Sequence, residues 1–399
     1  MEIQGQNSAY ATCKPKGQPG SKKCILSFDG GGVRGIMSCV MIEYLESKLQ
    51  SLEGSEDVRI ADYFDEIAGT STGALVACLL VAPDPVTKRP RFSAKDCTNF
   101  YLQHSAQVFP QDSGLFSSVK SWITRLKGPK YSPAGLESIL KEVFGDLKLT
   151  ETFKPVIVPS YDINYECSVL FSTTQAKSKQ IPDCYIRDVC RATTAAPTYF
   201  PPHYFTSTTE GGEKWEFNMV DGGVSANNPA FIAVSELLKD HVDEAEKEIK
   251  YEDLLVISFG TGQKNASYSA TTCAKWGILS WIYNDGSVPL LDMLTLASQD
   301  IVDYNMSSTF YEQCCHDNYL RVQIEKLEEN QTSLDDSSES NLQALMGTAQ
   351  NFLRSKAQTR NKLGQFVPDS RWTTYDAALS QYAAWLVEER NARNLQQSS

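Results

Sequence analysis

Ile67-Ala-Gly69-Thr70-Ser71-Thr72-Gly73-Ala74-Leu75 is the stretch on which the reading of this chain turns. It spells G-x-S-x-G between two apolar segments. Tyr63, Phe64, Ile67 and Ala68 before it suit a short strand. Ala74, Leu75, Val76, Ala77, Leu79 and Leu80 after it suit a buried helix. A strand that turns sharply into a helix at such a motif leaves the Ser71 hydroxyl exposed at the corner. The corner strains the backbone, and Gly69 and Gly73 avoid the collisions that side chains would make beside it. Because G-x-S-x-G also arises by chance, Ser71 stands as a nucleophile only if the rest of the chain supplies its partners.

One partner is an oxyanion site from an earlier strand. Cys24-Ile25-Leu26-Ser27-Phe28 reads as a short buried strand that runs into Asp29-Gly30-Gly31-Gly32-Val33-Arg34-Gly35. Ile36, Met37, Val40, Met41, Tyr44, Leu45 and Leu49 then recur at helical spacing. Backbone N–H groups approach a developing negative charge only where no side chain intervenes, and a helix start adds the favourable end of its dipole. Gly30, Gly31 and Gly32 therefore read as an oxyanion loop, joined by the N–H of Thr72 from the elbow. Gly30 to Gly35 also matches G-x-G-x-x-G, the phosphate turn of dinucleotide-binding folds. That rival needs a second strand ending in an acidic residue about 20 positions on. The region reads Ser51-Leu-Glu-Gly-Ser-Glu-Asp57, which is polar and turn-like, so its context is only half met.

The other partner is a base, since a serine hydroxyl alone is a poor nucleophile. Glu216-Phe-Asn-Met-Val220 reads as a strand ending in Asp221-Gly222-Gly223, and Asn227-Asn228-Pro229 caps a helix from 230 to about 239. An acidic residue at a strand end, beside two glycines that let a partner approach, is where a catalytic base belongs. The same pattern also describes a simple turn aspartate. The histidines are His104, His203, His241 and His316. None follows Asp221 in an obvious strand-end turn, where a Ser-Asp-His hydrolase places one. His203, after the proline-stiffened loop Ala195-Ala-Pro-Thr-Tyr-Phe-Pro-Pro202, keeps the triad alternative open.

Elsewhere the pattern predicts helices near 97–108, 132–145, 186–194, 288–305 and 372–390, and a strand at 254–258. Strands at 155–158 and 168–172 pair through the turn between them. Residues 325–340 are acidic and serine-rich and read as a solvated loop. Strands alternating with helices around a buried elbow give an α/β fold, a three-layer α/β/α sandwich on a mainly parallel sheet. Residues 1–23 read as a disordered tail, 24–390 as a single domain with its motifs in 24–232, and 391–399 as a second tail.

A net charge of −12 excludes global attraction to nucleic acid or an anionic membrane. The longest apolar run, 74–82, falls far short of the about 20 residues that span a bilayer. Membrane contact must then be local, and residues 114–131, with four basic residues, no acidic ones and several aromatics, are the candidate. The 11 cysteines lack C-x-x-C spacing and fit neither a disulfide framework nor a zinc site. No calcium loop appears, so neither metal nor cofactor is expected. The first residues hold no apolar signal segment.

Asp29-Gly-Gly-Gly-Val-Arg-Gly35, Gly69-Thr-Ser-Thr-Gly73 and Asp221-Gly-Gly223 together resemble the motifs of the patatin-like phospholipase family, in its plant branch. Ala61-Asp-Tyr-Phe-Asp65, the loop 195–202 and Ser258-Phe-Gly-Thr-Gly262 are also similar to that branch, so the resemblance runs from about residue 24 to the final helix. It implies a lipid acyl hydrolase with a Ser-Asp dyad: Ser71 as nucleophile, Asp221 as base, and Gly30, Gly31 and Gly32 as the oxyanion loop. Asp29, Gly35, Gly69, Gly73, Gly222 and Gly223 fall on supporting motif positions, and Arg34 on a basic position that holds the loop's shape. Gly223 departs from the alanine usual in tuber patatins. The resemblance further implies membrane lipids, phospholipids and galactolipids, as substrates. The absent signal segment favours a cytoplasmic enzyme, transiently at membranes and in roles such as defence, over a storage protein with incidental esterase activity.

Overall fold

The computed structural model describes residues 14–111, 128–243, 249–263, 268–284, 288–361 and 365–398. The first half runs β1 (Lys23–Phe28), α1 (Gly35–Glu53), β2 (Glu66–Gly69), α2 (Thr72–Val81), α3 (Ala94–Val108), α4 (Ala134–Phe144), β3 (Val156–Asp162) and β4 (Cys167–Ser172). The second half runs α5 (Ile186–Thr193), β5 (His203–Thr208), β6 (Lys214–Val220), α6 (Ala230–Asp243), β7 (Leu254–Phe259), α7 (Pro289–Glu312), β8 (Tyr319–Val322), α8 (Glu339–Leu353) and α9 (Tyr375–Ser398).

Strand alternation builds two cores, one on each face of the sheet. In β1, Cys24, Leu26 and Phe28 enter the larger core while Ile25 enters the smaller. In β7, Leu255, Ile257 and Phe259 join the larger and Leu254 and Val256 the smaller. Strands buried on both faces read as continuous apolar runs, as these do. Helices α1 to α5, α8 and α9 cover the larger core, and α6 and α7 the smaller. This is the expected three-layer sandwich.

The eight-stranded sheet is mixed. β8, β7, β1, β2 and β3 are successively parallel, while β4, β5 and β6 pair antiparallel. Ile157 pairs with Ala68 of β2 and Ser172 of β4, and Tyr161 with Val220 of β6 and Ser168 of β4. A residue has one partner per edge, so β2 and β6 share the edge of β3 opposite β4. They run toward each other along it. The turn after β2 and the turn after β6 therefore meet, although about 150 positions separate them in sequence.

The ends of the chain differ from the composition-based reading. Residues 14–22 lie on the fold: the Lys16 N–H donates to Asn318 at 2.8 Å, and those of Gly20 and Lys22 donate to Glu389 at 2.7 and 2.9 Å. Residues 391–398 continue α9, where Arg393 pairs with Asp65 at 2.8 Å and Glu389 at 3.0 Å. Backbone donors and fixed charges, rather than apolar periodicity, hold both segments, so a hydrophobic pattern cannot show them.

Candidate active site

Ser71 occupies the corner between β2 and α2 at φ 52°, ψ −127°, a conformation rare for a residue with a side chain. A Cβ on Gly69 would lie 2.4 Å from the Gly73 carbonyl oxygen, and one on Gly73 2.5 Å from that of Asp29. The elbow thus has room only for glycine on both sides of the serine. Its backbone is further pinned by Thr193, at the end of α5. The Ser71 N–H donates to Thr193 Oγ1 at 3.0 Å, and that hydroxyl donates to the Pro159 carbonyl at 2.7 Å. Thr193 was not legible in the sequence, because a threonine closing a helix carries no motif.

The Ser71 hydroxyl donates to Asp221 Oδ2 at 2.6 Å. Asp221 Oδ1 accepts the Gly223 N–H at 2.7 Å. The Asp221 and Gly222 N–H groups donate to the carbonyls of Ala195 and Thr193, fixing the turn on the start of the proline loop. Burial pushes the Asp221 carboxyl up to about 6, and the bonds from Ser71 and Gly223 oppose that rise. A carboxylate poised there accepts a proton more readily than a solvated one while remaining ionised at neutral pH. Gly223 is tight: an added methyl would sit 2.9 Å from Asn227 Oδ1 and 3.1 Å from Asp221 Oδ1.

The glycine loop faces the elbow. Gly30 departs from the expected donor role, because its N–H is already given to the Asn227 carbonyl at 3.0 Å. Its carbonyl accepts from Asn227 Nδ2 and Thr261 Oγ1, so Gly30 anchors the loop. The N–H groups of Gly31, Gly32 and Thr72 have no acceptor among the described residues and are left for a ligand. Thr72 Oγ1 donates to the Gly32 carbonyl at 3.0 Å, tying the two donor segments together. Gly32 has φ +58°, and a side chain there would strike the Leu334 carbonyl. Gly35 opens α1 against Tyr101, whose hydroxyl donates to the Thr72 carbonyl at 3.1 Å.

Asp29 is fully buried beneath the loop and meets Arg321 of β8 in a two-pronged pair at 2.9 and 2.5 Å. Burial raises the Asp29 carboxyl and Arg321 lowers it; the fork geometry favours the ion pair. Arg321 escaped the sequence reading, although a charge inside the apolar run Tyr319–Val322 was a usable signal.

A cleft of about 1080 Å³, counting its open mouth, contains Ser71, Asp221 and the glycine loop. Leu75, Phe109, Leu136, Tyr199, Phe200 and Leu296 give it a mainly apolar wall. Arg34 lines it too. Among the described residues its guanidinium makes no hydrogen bond to the glycine loop, so the expected bracing role is not seen. Burial lowers Arg34 to about 10, opposed by nearby Asp292 and Tyr199.

The acidic segment 325–340 is also corrected. Thr332 and Leu334 line the cleft, and the Leu334 carbonyl accepts the Val33 N–H at 2.9 Å. Asp335 is buried against Lys130 and the Tyr131 hydroxyl, and Ser337 donates to the Phe109 carbonyl at 2.7 Å. A carboxylate with a cation and a hydroxyl waiting for it does not need water.

Among the described residues no histidine lines the cleft. His203 lies 3.3 Å from Asp188 and stacks on Phe205, His104 packs on Phe100, and His316 lies 3.4 Å from Asp317. The side chain of His241, and residues 114–127 of the basic segment, lie outside the described residues.

Residues 26–234 match the family described as Patatin-like phospholipase. The chain is 41% identical over 384 residues to Patatin-like protein 1 of Arabidopsis thaliana, covering 94% of this chain and 92% of that protein. It is 35% identical over 402 residues to Patatin-T5 of Solanum tuberosum, covering 98% of this chain and 95% of that protein. Human GIVD cytosolic phospholipase A2 overlaps 94% of this chain and 60% of its own, at a TM-score of 0.40 and 10% identity, too loosely to bear on the site. Relatives matched over nearly their whole length, with a profile spanning every motif, establish that the chain belongs to the patatin-like phospholipase family.

Proposed function

We propose that the protein hydrolyses fatty-acyl esters of membrane lipids, phospholipids and galactolipids, through a Ser71–Asp221 dyad. Family membership implies lipid acyl hydrolysis; the dyad and the substrates are the finer reading. The observation that carries it is the 2.6 Å hydrogen bond from Ser71 to a buried carboxylate at the floor of an apolar cleft. Ionised Asp221 takes the hydroxyl proton as Ser71 Oγ bonds to the ester carbonyl carbon. The carbonyl oxygen becomes negative near the N–H groups of Gly31, Gly32 and Thr72, which stabilise it. Collapse breaks the ester bond, and Asp221 returns the proton to the leaving alcohol. Water then attacks the acyl-serine and gives a proton to Asp221, which restores it to Ser71 as the fatty acid leaves. The cytoplasm, with transient visits to membranes, is the proposed place of action.

Purified protein is incubated with phospholipid, galactolipid and neutral-lipid dispersions, with Ser71→Ala as the blank, and released fatty acids are analysed. Native protein is expected to release fatty acid, the variant none, and an activated fluorophosphonate should label Ser71. Labelling at another serine, or release by the variant, would overturn the assignment.

A further inference from the structure

The cleft mouth continues onto an apolar surface. In the first turns of α7, Leu291 with Thr295 and Asp292 with Leu296 line the cleft. Leu290 and Leu294, one position away on the helix, point to solvent, Leu294 at 56% exposure. The helical turn Ile278–Ile282 packs on α7 and adds Ile278 at 79%, Leu279 at 70%, and the exposed Ile282 and Tyr283. Trp276 sits edge-on to Trp281 and to Tyr268, each at 5.2 Å. Val224, two residues from Gly222, is both cleft-lining and exposed. Soluble proteins scatter exposed apolar side chains singly; a contiguous set marks a contact surface.

We infer that this face, the Ile278–Ile282 turn and the outer stripe of α7, seats the cleft mouth on a zwitterionic bilayer surface. The inference rests on the lipid-hydrolase reading, since it names where that substrate is met. Charge identifies the occupant. From Tyr268 to Leu291 the sequence has two charged side chains, Lys275 and Asp285, of opposite sign, so the segment carries no net charge, in a chain of net charge −12. A face without net charge gains little from anionic lipid and binds by burying apolar and aromatic groups at the headgroup boundary, where tryptophan and tyrosine are at home. Continuity gives the direction: a lipid drawn from that boundary passes along α7 from Leu294 to Leu291 and enters the cleft without crossing water. Docking through the basic segment 114–131 would instead weaken with salt.

The test is co-sedimentation of the full chain, in a Ser71→Ala background so that vesicles stay intact, with phosphatidylcholine vesicles. Ile278→Ser/Leu279→Ser is expected to bind at least tenfold more weakly. Added salt or anionic lipid should not strengthen or restore binding. With Ser71 present, the double variant should turn over a short soluble ester within twofold of native, showing that it is folded. Tryptophan emission of a Trp122→Phe chain, which lacks the tryptophan of the basic segment, should shift to the blue with vesicles and be quenched by brominated lipid. Unchanged binding by the double variant overturns the inference. So does binding that requires anionic lipid, or a native dimer that Ile278→Ser/Leu279→Ser dissociates. If the double variant fails to fold, absence of quenching in the Trp122→Phe chain overturns the inference and quenching there supports it. Vesicle binding through this face without lipid hydrolysis would overturn the proposed function alone; hydrolysis with unchanged variant binding would overturn the docking face alone.

Discussion

Asp221 is held near 6 by burial, and two opposite consequences follow. For activity, the base must be ionised, so kcat/KM on a soluble ester should be flat above about pH 7 and fall as pH drops through about 6. For stability the sign reverses. The folded carboxyl binds its proton more tightly than the ordinary value of 3.8, so ionisation opposes folding as pH rises from about 4 to about 6. That displacement corresponds to about 3 kcal/mol. Asp221→Asn should therefore lose turnover while gaining stability over native at pH 8, with the gain vanishing below about pH 4; urea denaturation at both pH values reads it. Thr193 is the second residue-scale case. Thr193→Val removes the acceptor for the Ser71 N–H, and kcat should fall about tenfold, or about 1.4 kcal/mol, with KM little changed. Thr193→Ser should keep most of the rate; an equal loss would show that packing, not the hydroxyl, matters. Ser71 and Asp221 were legible because a strained elbow and a strand-end carboxylate demand glycines beside them. Thr193 was not, since its bond to Ser71 exists only in the folded chain.

At the scale of elements, β8 reaches the glycine loop through a line of small residues. Ser27 of β1, Ser258 of β7 and Arg321 of β8 lie in register, and the serines leave the arginine room to reach Asp29. Removing one member of a buried pair strands the other, at a cost of about 3–5 kcal/mol. Arg321→Met should be destabilised by that amount in denaturant titration, and Asp29→Asn added to it should recover part of the loss. No recovery would mean the arginine acts through packing alone. Element boundaries were legible wherever apolar period set them, as in β1, β7 and α5. The segment 325–340 was misread because its composition says water while Asp335 has Lys130 and Tyr131. Gly30 was misread for a related reason: its glycine neighbours are visible in sequence, but the Asn227 carbonyl that occupies its N–H is not.

At the scale of the molecule, every motif lies before residue 234, yet the sheet is not complete there. β7 pairs with the whole of β1, and α9 brings Leu379, Tyr382, Trp385 and Leu386 into the larger core. Each such side chain contributes roughly 1.5–3 kcal/mol on burial. A chain ending near residue 250 should thus fail to give a monodisperse, cooperatively melting protein in size-exclusion and circular-dichroism measurements. A folded, active truncation would show that the motif-bearing half is self-sufficient. The sandwich class was legible from strands alternating with helices. That β2 and β6 share one edge of β3, which brings Ser71 to Asp221, was not, because register is set by pairings no local pattern records.

The central claim is that Asp221 itself takes the proton from Ser71. The most direct measurement is turnover of a short soluble ester by Asp221→Asn beside His104→Ala, His203→Ala, His241→Ala and His316→Ala, each shown folded by circular dichroism. The dyad predicts that Asp221→Asn is nearly as inactive as Ser71→Ala, while every histidine variant stays within about tenfold of native. A folded histidine variant as inactive as Ser71→Ala would contradict it.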